Sequence, residues 1–215
     1  LIADAMEPYL AASGIQFTRN TPDMTAASSI AASNAGNYDL HLALHSNAVG
    51  SGQQSTVRGI DAYYYPASVS GKRFADIAAN NLQLIYPLPG MVKTVPTTRL
   101  GEVARVRAPG VLIELGYHDN PLDADWIRNN INNIAENLVL SLTEYFGIPF
   151  NMPQPIQVGY VSTEGSNLNI RSRPDIGAPI IGKIPNGSEI VIYNRLPEWD
   201  LAGYGGVMGY VNSRY

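Results

Sequence analysis

Two short apolar runs each deliver an ionisable side chain at their C-terminal end. The first, Asp39-Leu-His-Leu-Ala-Leu-His-Ser-Asn-Ala48, runs into His45. The second, Pro109-Gly-Val-Leu-Ile-Glu-Leu-Gly-Tyr-His-Asp-Asn120, runs into Glu114. An imidazole suits metal ligation, and a carboxylate suits proton abstraction from water. Strand ends are also where α/β folds assemble active sites. Each residue has a plainer reading. His45 is either a metal ligand or a hydrogen-bonded structural histidine. Glu114, after three consecutive apolar residues, is either a general base tuned by burial or one half of an ion pair with Arg105 or Arg107, because a buried glutamate is rarely left unpaired.

His118 follows Glu114 by four residues. It either contacts substrate and stabilises a tetrahedral intermediate, or bonds the turn made by Asp119 and Asn120. Asn47 is the second substrate-binding candidate. His41 lies on the same side of its strand as His45 but about 13 Å away, at roughly 3.3 Å per residue. That is too far for both to hold one ion, so His41 reads as structural.

The elements that must carry these groups alternate. Leu1, Ile2, Ala5, Met6, Tyr9 and Leu10 recur at helical spacing, with Pro8 expected to kink the helix. The helix is expected to begin upstream of Leu1. Residues 15–18 read as a short strand, 26–35 as a helix closed by Gly36, 40–44 and 59–65 as strands, and 74–85 as a helix. Residues 111–115 read as a strand covered on both faces. Asp123 is expected to cap one long helix reaching Phe146. This order predicts an α/β fold, a mostly parallel sheet flanked by helices. Trp126 reads as a packing anchor of the last helix, Arg19 as a bridge to the helix after it, and Tyr63, Tyr64 and Tyr65 as a mixture of core and groove lining.

The segment from Gly147 to Gln157 holds Pro149, Pro153 and Pro155, a semi-rigid linker. Beyond it, short alternating runs separated by glycines describe a small all-β module. The domain division is therefore 1–147, a linker at 148–157, and 158–215. The net charge of −4 falls wholly on residues 1–150, since residues 151–215 hold five acidic and five basic side chains. Neither part has the basic field of a nucleic-acid binder. Without cysteine there are no disulfides, thiolate zinc sites or cysteine nucleophiles. No run of 18 apolar residues is present to span a membrane.

The Leu-His-Ser-Asn-Ala and Val-Leu-Ile-Glu segments resemble the zinc-dependent N-acetylmuramoyl-L-alanine amidase family over roughly residues 1–146. The runs Leu168-Asn-Ile-Arg-Ser-Arg-Pro174 and Gly209-Tyr-Val211 resemble a bacterial SH3-like domain, a small barrel that commonly anchors hydrolases to the cell wall. The resemblance implies that His45 binds zinc and that Glu114 takes a proton from a zinc-bound water attacking the lactyl carbonyl. Glu114 would then protonate the leaving L-alanine amine. Peptidoglycan is the implied partner, and the cell wall outside the membrane the implied location.

The family's glycine–histidine–glycine turn, and the glutamate that follows it, are not found within residues 1–215. The remaining zinc ligands are expected upstream of Leu1. The alternative is a non-catalytic wall-binding protein with a degenerate amidase fold. A third reading, a zinc peptidase acting on stem peptides, is weakened by the lack of a His-Glu-x-x-His helix.

Overall fold

The computed structural model describes residues 1–50, 52 and 54–215. It divides into two compact units, Leu1–Met6 with Thr18–Phe146, and Glu7–Phe17 with Gly147–Tyr215. Helix α1 (Ile2–Ala12) contributes to both and runs unbroken through Pro8.

In the first unit the order is α2 (Ala26–Ala35), β1 (His41–Asn47), β2 (Ile60–Tyr64), α3 (Val69–Gln83), β3 (Val92–Pro96), α4 (Gly101–Ala104), β4 (Gly110–Tyr117), α5 (Pro121–Asn129) and α6 (Ile131–Phe146). The sheet order is β1-β4-β2-β3. The β1–β4 and β2–β3 pairs are parallel, as the alternating pattern predicts, while β2 runs antiparallel to β4. The sheet is therefore mixed.

Period-two alternation sorts the side chains onto two faces. Ile60, Ala62 and Tyr64 of β2 and Val111, Ile113 and Leu115 of β4 are buried. Helix α3 packs on β2, β3 and β4, with α6 against α3. Phe74, Leu82, Ile134 and Leu138 are fully excluded from water in that layer. The two helices are also pinned by polar contacts: Asn81 Nδ2 donates to Ser141 Oγ at 3.1 Å, and Asn137 Nδ2 donates to the Asn81 carbonyl at 2.9 Å. The opposite face carries a smaller cluster of Ala43, Leu112 and Val103, packed with Tyr63 and Leu100.

Three sequence expectations fail locally. Residues 15–18 form no strand, and Phe17 is exposed, because no neighbouring strand pairs with them. The expected single helix after Asn120 is two, broken at Asn130. Its cap is Asn120, whose Oδ1 accepts from Leu122 N and Asp123 N, with Pro121 in the first turn.

Asp123 does something else. It is wholly buried, and its carboxylate accepts from Arg58 Nε (2.7 Å), the Tyr86 hydroxyl (2.6 Å), Tyr117 N (3.1 Å) and Gly59 N (3.2 Å). Trp126, buried as expected, meets Tyr86 edge to face.

The second unit is a six-stranded antiparallel sheet, order β5-β8-β9-β10-β6-β7. Its strands are β5 (Gln157–Tyr160), β6 (Leu168–Arg171), β7 (Ile180–Ile184), β8 (Glu189–Arg195), β9 (Trp199–Tyr204) and β10 (Val207–Asn212). Leu168, Ile170, Ile184, Ile190, Ile192 and Val211 form its core. Within this unit Asn151 N donates to Ser13 Oγ at 3.1 Å, Asn151 Nδ2 donates to the Ala12 carbonyl at 3.1 Å, and Tyr9 stacks on Phe150.

Burial acts to raise the Asp123 pKa, but the bonds from Tyr86, Arg58, Tyr117 N and Gly59 N outweigh it and hold the pKa below the ordinary value. A depressed carboxylate pKa adds stability that is present above the unfolded value and is lost as pH falls through the folded one. Asp123→Asn is expected to lower unfolding stability by about 3–5 kcal/mol, because it leaves Arg58 without its counter-charge. Melting temperatures followed from neutral pH downward will show the wild type converging on the variant in acid. Parallel curves would contradict this.

Candidate active site

The β1–β4 register sets the site. His41 lies opposite Gly110, Ala43 opposite Leu112 and His45 opposite Glu114. Glu114 in turn faces Asp61 of β2, and Asp61 faces Lys93 of β3. His45, Glu114, Asp61 and Lys93 thus form one row across all four strands. After His45 the register slips, so that Asn47 pairs with Tyr117 and β4 gains one residue at a bulge.

Glu114 is half-buried, and among the described residues it makes no ion pair and its Oε2 is buried without a hydrogen-bond partner. The ion-pair reading is therefore not realised. The backbone of Arg105 and Arg107 is tied to α2: the Arg107 N–H donates to Asn34 Oδ1 at 2.7 Å, and Asn34 Nδ2 donates to the Arg105 carbonyl at 2.8 Å. Burial raises the Glu114 pKa above the ordinary value; His45 and His118 oppose this and Asp61 adds to it. Asp61 accepts from the Tyr63 hydroxyl at 3.3 Å. Burial, with the Asp61 charge second, pushes that phenol up to about 12.

His45 Nε2 lies 3.0 Å from Glu102 Oε2, and Glu102 Oε1 lies 3.9 Å from His41 Nε2. One carboxylate on α4 therefore meets both imidazoles. Burial lowers the His41 pKa, with the Glu102 charge opposing it. A groove of about 420 Å³, walled by His41, His45, Glu102, Leu42 and Leu44, runs along β1.

His118 is exposed, and its Nδ1 lies 3.0 Å from Ser46 Oγ and 3.1 Å from the Ser46 carbonyl. Its backbone N–H donates to the Asn47 carbonyl at 2.9 Å. Asn47 uses its own Oδ1 to accept from Ala48 N. Of the four sequence candidates, His45 lies opposite Glu114 in the ladder, and His118 is tied to Ser46 and to the Asn47 carbonyl at the end of β1. Glu102 and Asp61 join them without having been singled out in the sequence. Arg19 pairs with Asp4 of α1 at 2.6 Å. Of the three tyrosines, Tyr64 is buried and Tyr65 exposed.

Residues 1–144 match the family described as N-acetylmuramoyl-L-alanine amidase, and residues 166–215 match the bacterial SH3 domain. Among solved structures, the N-acetylmuramoyl-L-alanine amidase of Clostridium difficile 630 superposes with a TM-score of 0.59 at 18% identity, covering 68% of this chain and 80% of that one. AmiC2 of Nostoc punctiforme gives 0.57 at 21% identity, over 68% and 81%. The catalytic domain of the CD27L endolysin targeting Clostridia difficile gives 0.54 at 22% identity, over 66% and 79%. At these identities the superpositions establish the fold. No curated protein sequence matches. The chain belongs to the N-acetylmuramoyl-L-alanine amidase family. It is a peptidoglycan hydrolase of the amidase type, with a bacterial SH3 domain following the catalytic region.

The family is in general zinc-dependent. A catalytic zinc takes three protein ligands. Among the described residues no three His, Cys, Asp or Glu side chains converge to hold a metal ion. His45 Nε2 is bonded to Glu102 instead, so the residues present do not by themselves fit the metal.

The close approach of α4 to β4 is what brings Glu102 to the histidines. A Cβ on Gly110 would lie 2.8 Å from the Glu102 carbonyl and 2.9 Å from that of Val103. Gly110→Ala is expected to lower stability by about 1–3 kcal/mol through overpacking, with α4 displaced. Gly90→Ala, where a Cβ meets nothing within 4 Å, is the control for thermal denaturation. Equal melting temperatures for the two variants would refute the tight contact.

Proposed function

We propose that the protein cleaves the amide between N-acetylmuramic acid and L-alanine of the stem peptide with Glu114 as general base. The observation that carries this reading is the state of Glu114. Its Oε2 is buried with no partner, and its pKa is held above the ordinary value. A carboxylate so placed has both a free acceptor position and the basicity to take a proton from water.

Water attacks the lactyl carbonyl as Glu114 accepts its proton. The tetrahedral intermediate then collapses, the carbon–nitrogen bond breaks, and Glu114 passes the proton it took from water to the leaving amine. His118 and Asn47, at the same strand ends, contact the substrate. His45 is the residue that would contribute to a zinc site. Zinc would need donors besides His45, so this scheme rests on the chain's own side chains. The bacterial SH3 domain would hold the enzyme on the cell wall, outside the membrane. Among the described residues no helix is long and apolar enough to cross a membrane.

Glu114→Gln is expected to lower the release of stem peptides from purified muropeptides by about 10²–10⁴-fold, the range for loss of a general base. Circular dichroism should be unchanged. New reducing ends instead of new L-alanine amines, or undiminished release by the variant, would overturn the assignment. Wall binding without release by the wild type would favour the non-catalytic alternative.

A further inference from the structure

We infer that Lys93 is a specificity-determining residue of the site, a cation that pairs with a free carboxylate on the second residue of the stem peptide, next to L-alanine. The inference deepens the amidase reading above and rests on it.

The first observation is the row across the sheet. In-register residues on neighbouring strands point to one side. Val92 pairs with Ile60, and both are buried on the side that α3 covers. Alternation therefore turns Lys93 and Asp61 to the opposite side, where Glu114 faces Asp61. That side also carries the apolar cluster around Leu112 and Tyr63, and the row of Glu114, Asp61 and Lys93 lies two residues further along β4. At about 4.8 Å per strand, the Lys93 backbone stands roughly 10 Å from that of Glu114. One residue of extended peptide advances about 3.3 Å, and the flexible four-carbon stem of lysine spans the rest. A substrate whose scissile amide sits at Glu114 and whose peptide crosses β2 toward β3 brings its second residue within reach of the ammonium.

The second observation is that Lys93 is uncommitted. It is exposed, and among the described residues it makes no ion pair. Its in-register acid, Asp61, accepts from the Tyr63 hydroxyl at 3.3 Å instead. Arg58 and Lys72, by contrast, are held by Asp123 and Asp76.

The third observation is the charge around it. The whole net charge of −4 lies on residues 1–150. Two carboxylates, Glu114 and Asp61, stand side by side within the row. An acidic peptide laid across them is repelled unless a cation receives its charge. Lys93 ends the row as that cation. A carboxylate is therefore accommodated over β3 and disfavoured over β2, which fixes the direction in which the stem peptide lies.

The test separates charge from shape. The whole chain, as wild type, Lys93→Met and Lys93→Arg, is assayed on muramoyl-L-alanyl-D-isoglutamate and on the near-isosteric D-isoglutamine compound, which lacks the charge. The wild type is expected to favour the acid by about 5- to 30-fold in kcat/KM, mainly through KM, as a contact made equally in ground and transition states requires. Lys93→Met should lose this preference and keep the wild-type rate on the isoglutamine substrate. Lys93→Arg should restore it, and added salt should weaken it in the wild type. Equal cleavage of both substrates by the wild type would overturn the inference and leave the amidase reading standing. A preference that survives in Lys93→Met, or a loss of equal size on both substrates, would also overturn it. A wild type that cleaves neither compound would overturn the amidase reading and this inference with it.

Discussion

The interaction on which the catalytic unit depends is the carboxylate of Asp123. It gathers four donors from three places: Arg58 and Gly59 before β2, Tyr86 after α3, and Tyr117 at the end of β4. These segments are distant in sequence and carry the strand ends that flank the site. A charge with no water contact must find every hydrogen bond within the protein. Here it finds four, one of them from a guanidinium. The side chain of Asn120 extends the same clamp, capping α5 and donating from Nδ2 to the Ser55 carbonyl at 2.8 Å. The loop leading into β2 is thus tied to the turn after β4.

A second constraint brings chemistry to that frame. The β1–β4 pairing keeps His45 beside Glu114, then slips by one residue. The extra residue in β4 lies next to Gly116, whose φ of 106° only glycine adopts without strain. Had the ladder continued in step, Asn47 would face Gly116, and His118 would meet Ala48 in place of its present bond to the Asn47 carbonyl. From the other side, the closeness of α4 to Gly110 brings Glu102 under His41 and His45. The site is assembled by backbone approach as much as by the identity of its polar residues.

Local pattern was enough for much of this. Helix α2 matches its expected span, and β1, β2 and β4 appear where apolar runs predict them. His45 and Glu114 were legible because an ionisable residue directly after an apolar strand is unusual in itself. What local pattern could not carry was everything decided at long range. The antiparallel β2–β4 pair depends on strand order, which no single segment encodes. Strand β3 is five residues ending in Pro96, and α4 is a single turn, both too short to show a period. Glu102 sits in that turn with no apolar run before it, so only the fold reveals that it meets two histidines. Asp123 misleads for a related reason. An acid early in a helix looks like a cap, while the true cap, Asn120, precedes a proline and leaves Asp123 free to turn inward.

The two carboxylates that flank the end of β4 show why residue type alone does not assign role. Asp123 and Glu114 are nine residues apart, the first wholly buried and the second half-buried. Burial works to raise the pKa of each. At Asp123 four donors reverse that effect, fixing the group as an anion whose capacity for hydrogen bonding is spent on structure. At Glu114 one oxygen has no donor, the nearest in-register neighbour on β2 is another acid, and the effect of burial stands. An unsatisfied acceptor is unfavourable for folding. Its persistence at the centre of a charged row, beside a strand end open to two imidazoles, is intelligible if the missing donor is the water or amide on which the enzyme acts. The stable carboxylate and the reactive one are thus separated by hydrogen bonds, and those bonds are set by which strand ends the fold brings to each.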